Sequence, residues 1–543
     1  MSFNLVDVFV ALVSSITLAF IGFLVSRFLQ HPLNKFPGPP IARWTTLYRA
    51  YYDLVKKGAW LKHLEELHKV YGPIVRVAPN ELHFSDPRVY GEIYSPGSRF
   101  YKDPVLYGAL GGSVTSVFTT PDPREAAISR NILAPFFSRR NMSQREVVIR
   151  DNVKKLISRL TSFGPETQLP ANLDNAIPST ALDVLTSLIF SRSFDMLSVH
   201  EFDHPFVRRE KPGTLNLWLA KYLPDPNTPF TGAFTRLMST FNPFRKIILA
   251  QTKLIRTELD LALEGFDLVE LRSQCHLDHG ELTPVDTSEE VDSSTDTLYS
   301  FIFRRIREQV LNRENSKSTL DGLSKLLKPR QLISEAINLR FAGTDTIASA
   351  CLVALRYILT RKEVLGRLVE ELDAAWTRDS EMTCEALEKL PYLTAVIKES
   401  LRLSHGVVSP KGRIVGPCDA VLAGQTIPAG TIVGISSTFV HLNPELFPEP
   451  KTFNPQRWLD TEPNTGVNSE KYLVSFSRGP RSCLGIHLAW CELYILLGYL
   501  FRHLELVLSE KHDPNSPLDF DDFFLPVYKD GPLRVFAKER ILK

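Results

Sequence analysis

Phe476–Gly485 reads FSRGPRSCLG and leads into a strongly helical run from about Leu484 to Leu508. A cysteine at such a place can carry a thiolate, because the free amides and positive dipole end of the helix offset the sulfur's negative charge. Thiolates ligate soft metals, so Cys483 is the residue with the most chemistry open to it. Gly479 permits a tight turn before it, and Gly485 lets backbone lie close to a bound group. A lone cysteine is more often a small buried hydrophobe, which suits Cys491. His487, one turn after Cys483, offers a rival zinc-type pair, but no further Cys or His stands at a spacing that completes a tetrahedral site.

Two further groups carry charge or hydroxyls at helical spacing. Glu399-Ser400-Leu401-Arg402 places a carboxylate and a guanidinium at i and i+3, on one helix face, where they can pair. Ala342-Gly343-Thr344-Asp345-Thr346 lies midway along a helical stretch from about Arg330 to Arg361, with Pro329 suited to its start. Gly343 lowers helix propensity and a threonine hydroxyl can divert a backbone bond, so the helix is expected to open there.

Other elements must hold these groups. Helical spacing recurs from about Trp44 to Lys69, Arg145 to Leu160, Ser179 to Phe190 and Arg245 to Leu263. Pro73 to Ser85 alternates as strands do and is broken by Pro79-Asn80 as a hairpin would be. Short strands are expected between Val407 and Ile435, and residues 273–297 form a polar, acidic loop. The pattern is a mainly α body with small β-sheets and no internal repeat.

At the amino end, Val8 to Ser26 is uncharged and apolar and would extend about 28 Å as a helix, close to the thickness of a bilayer core. No Lys or Arg precedes it, which argues against a cleaved signal peptide. Arg27, Lys35, Arg43 and Arg49 follow it, which places the rest of the chain on the cytosolic side. Residues 1–30 are thus expected to be a single-pass membrane anchor, 31–40 a stiff Pro-rich hinge, and 41–543 the cytosolic body.

The bulk numbers fit this plan. Of 543 residues, 44% are hydrophobic and 23% charged, enough for a large core. Against 61 acidic residues there are 63 Lys and Arg, so no global field points to nucleic acid. Six scattered cysteines without a CxxC pair suit a reducing compartment.

Phe476, Gly479, Arg481, Cys483 and Gly485 together spell FxxGxRxCxG, and on that pattern the chain resembles the haem-thiolate cytochrome P-450 family. The resemblance extends to the ExxR of Glu399 and Arg402, to FNPQRW at Phe453–Trp458, and to AGTDT at Ala342–Thr346. It implies a helix-rich prism enclosing haem b, with Cys483 as the axial ligand of the iron and Phe476 shielding it. Arg481, Arg413 in PKGRIV and Arg130 in ISRNILAPFFSRR would bind the propionates. Four residues before Arg130 the family usually has Trp or His, and this chain has Ala126, so one propionate contact is in question. Arg457 would join Glu399 and Arg402 in a structural triad, although Gln456 stands where Glu is common. Asp345 and Thr346 would handle protons beside bound O2. The phrases YGPIVRVAPNELHFSDP and LAPFFSRRNM look most like fungal secondary-metabolism members, including the trichodiene oxygenase group.

The same resemblance implies a monooxygenase that hydroxylates or epoxidises a lipophilic metabolite, such as a terpenoid or polyketide. Leu106, Val117, Phe118, Phe341, Ala342, Val407, Val408, Phe524 and Leu525 would line the substrate pocket, and Leu215 to Phe241 would form an access lid. No flavin or nicotinamide domain follows Cys483, so electrons would come from NADPH through NADPH-cytochrome P-450 reductase, with cytochrome b5 as a second donor. Arg139, Arg140, Lys471 and Arg478 would form the basic face that receives them. Competing readings are a haem-thiolate rearrangement or dehydration without net oxygen insertion, and a haem sensor or membrane scaffold.

Overall fold

The computed structural model describes residues 14–15, 30–98, 100–111, 116–167, 169–207, 218–222, 253–257, 297–311, 328–376, 381–459, 469–513 and 516–541. The expected anchor and acidic loop, most of the Arg245–Leu263 helix and most of the lid lie outside the described residues.

The first half of the chain begins with a helical stretch that differs from its expected course. Short turns at Leu47–Ala50 and Tyr51–Val55 precede α1 at Trp60–Tyr71. They are separated by Lys57 and Gly58, both with positive φ. A Cβ on Gly58 would sit 2.7 Å from the Asp522 carbonyl oxygen, so close backbone packing breaks the helix there. Strands β1 (Ile74–Ala78) and β2 (Glu81–Phe84) then form the expected antiparallel hairpin around Pro79-Asn80. Next come α2 (Pro87–Tyr94), β3 (Tyr101–Lys102), α3 (Pro104–Gly111), α4 (Pro123–Leu133), α5 (Glu146–Leu160) and β4 (Ala171–Asn172). Helix α6 (Leu173–Phe190) starts earlier than the sequence pattern indicated, because Asn172 caps it and Pro178 is carried inside it.

In the second half, α7 (Pro329–Thr360) and α8 (Pro391–Ser404) lead into strands β5 (Arg413–Ile414), β6 (Ala420–Leu422), β7 (Gln425–Ile427) and β8 (Ile432–Gly434). Helix α9 (Ile486–His503) ends where Leu504 and Leu506 turn inward and Glu505 and Val507 outward. That period of two makes β9 (Leu504–Leu508) a strand and corrects the expected helix end at Leu508. Hairpin strands β10 (Phe520–Phe523) and β11 (Leu525–Tyr528) and then β12 (Arg534–Glu539) complete the body.

Two sheets frame the helices. One runs β1-β2-β8-β5-β3 and the other β4-β12-β9. The main core lies where α5, α6, α7 and α9 pack together, with Leu156, Leu185, Leu355 and Ile495 among its buried residues. Among the described residues, α7 alone is long and apolar enough to cross a membrane, and it is mostly buried inside the protein. The result is a mainly helical fold with small sheets.

Candidate active site

Cys483 is presented by a tightly curled segment. Ser477 and Gly479 both take positive φ, and a Cβ on Gly479 would lie 2.5 Å from the Tyr94 carbonyl oxygen. Glycine is therefore required at 479 on both conformational and steric grounds. The curl is closed by Ser482 N–H donating to Gly479 O at 3.0 Å and Cys483 N–H to Phe476 O at 2.8 Å. Gly485 caps α9, and a Cβ there would meet nothing within 4 Å. The thiol is accessible, while the protein around it penalises charge: burial pushes its pKa up, against the opposing pull of the Gly485 N–H and Arg130. The two observations agree if the sulfur borders an internal hollow rather than bulk water.

Helix α7 shows the same signature. It is buried from Ile347 to Leu355, yet Phe341 is 49% exposed and Ala342 is exposed too. Asp345 and Thr346 are partly buried, and the Thr346 hydroxyl donates to Ala342 O at 2.6 Å. The helix does not open at Gly343 as expected. It stays continuous, and a Cβ on Gly343 would press on the Leu185 methyls at 3.0 and 3.1 Å, so this glycine serves the packing of α7 on α6. Arg340, buried on the same helix, lies 4.0 Å over the Phe341 ring. Burial lowers its pKa, against the opposite charge of Asp345.

Four cations gather beside this hollow. Arg130 donates to Ser482 O at 2.9 Å, next to the thiol. Arg481 reaches the carbonyls of Val117, Thr120, Pro121 and Asp122 at 2.8–3.3 Å. Arg413 donates to the Tyr107 hydroxyl at 3.0 Å. The fourth, Lys102, is only 4% exposed; its Nζ donates to Phe118 O and lies 4.3 Å over the Tyr107 ring. Burial first, then Arg413, Arg481 and Arg130, push the Lys102 pKa far below its usual range. Burial and Arg413 also push Arg481 down, to about 10. Among the described residues none of the four pairs with a carboxylate. Buried like charges demand a counter-charge, so this donor set fits a dianionic group lying against a soft-metal thiolate.

The structural triad is assembled as expected. Glu399 and Arg402 meet at 2.7 and 2.9 Å with no exposure, and Arg457 Nε donates to Glu399 at 3.1 Å. Burial would raise the Glu399 pKa, but Arg402 and then Arg457 hold it below the usual carboxylate range. Arg402 also reaches the His441, Pro450 and Thr452 carbonyls. Two further donors to Glu399 escaped sequence reasoning: Trp458 Nε1 at 2.9 Å and Asn454 N–H at 2.9 Å.

The expected pocket residues divide. Phe118 and Phe524 face each other with ring centres 6.1 Å apart, Val408 N–H donates to Phe524 O at 3.0 Å, and Val117, Val407 and Leu525 are partly buried. Two expectations need correction. Val408 is packed with Trp60, Leu61 and Val75, and Leu106 with Tyr107, Trp218 and Phe523. Both are buried, so they support the hollow from behind and do not border it. Glu335 was missed altogether: its buried carboxyl accepts from Val117 N–H at 2.7 Å and ties α7 to the loop that holds Arg481. Among the described residues, no group of three or more His, Cys, Asp or Glu could hold a metal ion, so His487 gains no zinc partners.

Comparison with known proteins agrees with this geometry. The family model for cytochrome P450 matches residues 37–531. The chain is 32% identical to conidiogenone synthase PchP450 of Penicillium rubens, over 95% of this chain and 96% of the relative. It is 29% identical to the cytochrome P450 monooxygenase TRI4 of Fusarium sporotrichioides, over 90% and 88%. The crystal structure of the cytochrome P450DA heme domain superposes with a TM-score of 0.64 at 17% identity, covering 93% of this chain and 97% of that one. The chain belongs to the cytochrome P450 family and is a haem-thiolate monooxygenase.

Proposed function

We propose that this monooxygenase hydroxylates or epoxidises a lipophilic small molecule of fungal secondary metabolism, a terpenoid or polyketide, using O2 and electrons from NADPH. The observation that carries the reading is the cationic quartet beside an exposed Cys483, together with a helix α7 on which the exposed Phe341 and Ala342 precede the partly buried Asp345-Thr346 pair. Support for the substrate class comes from the apolar faces of Phe118, Phe341 and Phe524, and from fungal relatives, one of them named for making conidiogenone.

Cys483 would hold the iron of haem b, and Arg130, Arg413, Arg481 and Lys102 would hold its propionates. Haem supplies the dioxygen-activating redox chemistry when bound. The remaining tasks fall to side chains. Phe476, whose ring leans on Trp490 at 6.1 Å, keeps water from the sulfur. Asp345 and Thr346 would hold and pass a proton for that chemistry, the Thr346 hydroxyl donating to Ala342 O in this structure. The phenylalanines orient the substrate by shape.

Electrons would arrive from NADPH-cytochrome P-450 reductase, or from cytochrome b5, on a face bearing the exposed Arg139, Arg140 and Lys471 and the half-buried Arg478. Val8–Ser26 would anchor the chain in the endoplasmic reticulum membrane with the body in the cytosol.

The test is the carbon-monoxide difference spectrum of the reduced protein, followed by turnover with reductase and NADPH. The red-shifted Soret band of a thiolate complex is expected, and Cys483→Ser is expected to lose it. Thr346→Ala should keep the band and consume NADPH without matching product. Product formed with no NADPH consumed would point instead to rearrangement or dehydration.

A further inference from the structure

Away from the thiol, α1, the end of α8 and the segment 517–520 that leads into β10 line a half-open cavity of about 240 Å³. Leu61, Tyr357, Leu403, Leu442 and Phe520 supply its apolar lining, and Lys62, Glu65, Lys451 and Asp519 its charges. Its rim charges answer one another, with Lys62 2.5 Å from Asp519, and Glu65 in the field of Lys451, Lys69 and Lys62. Two polar side chains border the cavity from the core, Thr438, whose hydroxyl is paired with that of Ser436, and His405. His405 is 3% exposed, stacks on His441 at 5.7 Å and tilts against Phe520 at 5.7 Å, and its Nδ1 has no hydrogen-bond partner. Burial and the nearby Arg402 guanidinium keep this imidazole neutral. A buried, neutral and under-used imidazole costs free energy unless a polar group reaches it.

We infer that this cavity is a binding site for a small neutral aromatic alcohol, its ring held among Leu61, Leu403, Leu442 and Phe520 and its hydroxyl bonded to His405. The volume lies below the roughly 300 Å³ at which drug-sized pockets begin, which limits the ligand to one ring. Arg402 behind the imidazole disfavours a cation, and the two lining cations, Lys62 and Lys451, are matched by two anions, Glu65 and Asp519, which leaves a neutral ligand favoured.

Binding here acts on both walls of the distal pocket. His405 leads through Gly406 to Val407 and Val408, Phe520 leads along β10 to Phe524, and Val408 N–H bonds to Phe524 O at 3.0 Å. This coupling rests on the substrate pocket proposed above; the binding does not.

The experiment uses the full-length, haem-loaded enzyme, with its distal pocket filled by a bulky iron-ligating azole and phenol as the probe in saturation-transfer NMR. Saturable phenol binding should persist with the azole present and weaken at least tenfold in His405→Phe and in Leu518→Trp, which blocks the cavity wall. Leu518 is partly exposed, so its variant serves if His405→Phe does not fold. Phenol wholly displaced by the azole, or bound equally well by Leu518→Trp, overturns the site. Phenol that binds as expected but leaves substrate-induced Soret shifts unchanged without azole overturns the coupling alone.

Discussion

Lys102 and Arg413 stand directly opposite each other in the antiparallel pairing of β3 with β5, both buried. Facing like charges weaken a strand pair, and the Tyr107 ring, 4.3 Å from Lys102 Nζ and 5.6 Å from the Arg413 guanidinium carbon, softens this pair without neutralising it. The arrangement is explained if the protein is built around a bound dianion. Under the proposed function Lys102 would also answer the question left by Ala126, whose buried side chain has no donor: the neighbouring sheet would supply the propionate contact that α4 lacks.

Lys102→Met should therefore separate two stabilities. The haem-free protein should gain up to about 1 kcal/mol from relief of repulsion, while the loaded protein should lose haem about tenfold faster. Thermal denaturation of the first and haem transfer to apomyoglobin from the second measure these. A variant that loses stability in both forms would mark Lys102 as a packing residue only.

Glu335 gives a prediction with a definite pH dependence. Burial pushes its carboxyl up to about 8, above its unfolded value. Between about 4.5 and 8 the folded state then holds more protons than the unfolded one, so this group makes stability fall as pH rises. Glu335→Gln removes the ionisation, and its side-chain oxygen can still accept from Val117 N–H. The variant should match the parent near pH 5 and exceed it increasingly towards pH 8. Glu335→Ala, which frees the loop behind Arg481, should be less stable at every pH.

The Glu399–Arg402 pair is buried without exposure, and the two partners are not equal to Arg457, which remains partly accessible. Arg402→Leu leaves a buried carboxylate with half its neutralisation gone and should cost about 3–5 kcal/mol, seen as little or no folded protein. Arg402→Lys should rescue poorly, because an ammonium cannot match the two-pronged contact at 2.7 and 2.9 Å while reaching three carbonyls. Arg457→Ala should fold, with a lower denaturation midpoint.

These residues also show how far the sequence could be read. Local patterns carried their meaning: FxxGxRxCxG, the i, i+3 pair and the Pro79-Asn80 hairpin depend on neighbours in the chain, and the structure assembles each of them. Lys102, Glu335 and Trp458 were not legible, because their partners lie far along the chain: Arg413 across a sheet, Val117 on a loop, Glu399 on another helix. The role of Gly343 was misread for the same reason, since only the approach of Leu185 from α6 distinguishes a packing glycine from a hinge. Leu504–Leu508 was read as helix because a five-residue apolar alternation merges with the helical run before it.

The last prediction concerns acid. The partly buried His68 and the buried His83 form a relay: His68 Nδ1 faces Gly72 O at 2.7 Å, His68 Nε2 meets His83 Nδ1 at 2.7 Å, and His83 Nε2 accepts from Ser436 N–H at 3.3 Å. Only neutral rings satisfy it, with His68 donating at Nδ1 and accepting at Nε2; a proton added at Nε2 would confront the N–H of His83. Burial pushes His68 down to about 4, and burial together with His68 and Arg49 pushes His83 well below its usual value. Between about 6.5 and 4 the unfolded chain therefore binds protons that the folded chain refuses, and stability is lost as pH falls through that window. Denaturation midpoints measured at steps from pH 7 to 4.5 should fall progressively, and His68→Gln, which can keep both bonds without titrating, should flatten the decline. A parent and variant with parallel pH profiles would show that the relay does not set the acid limit.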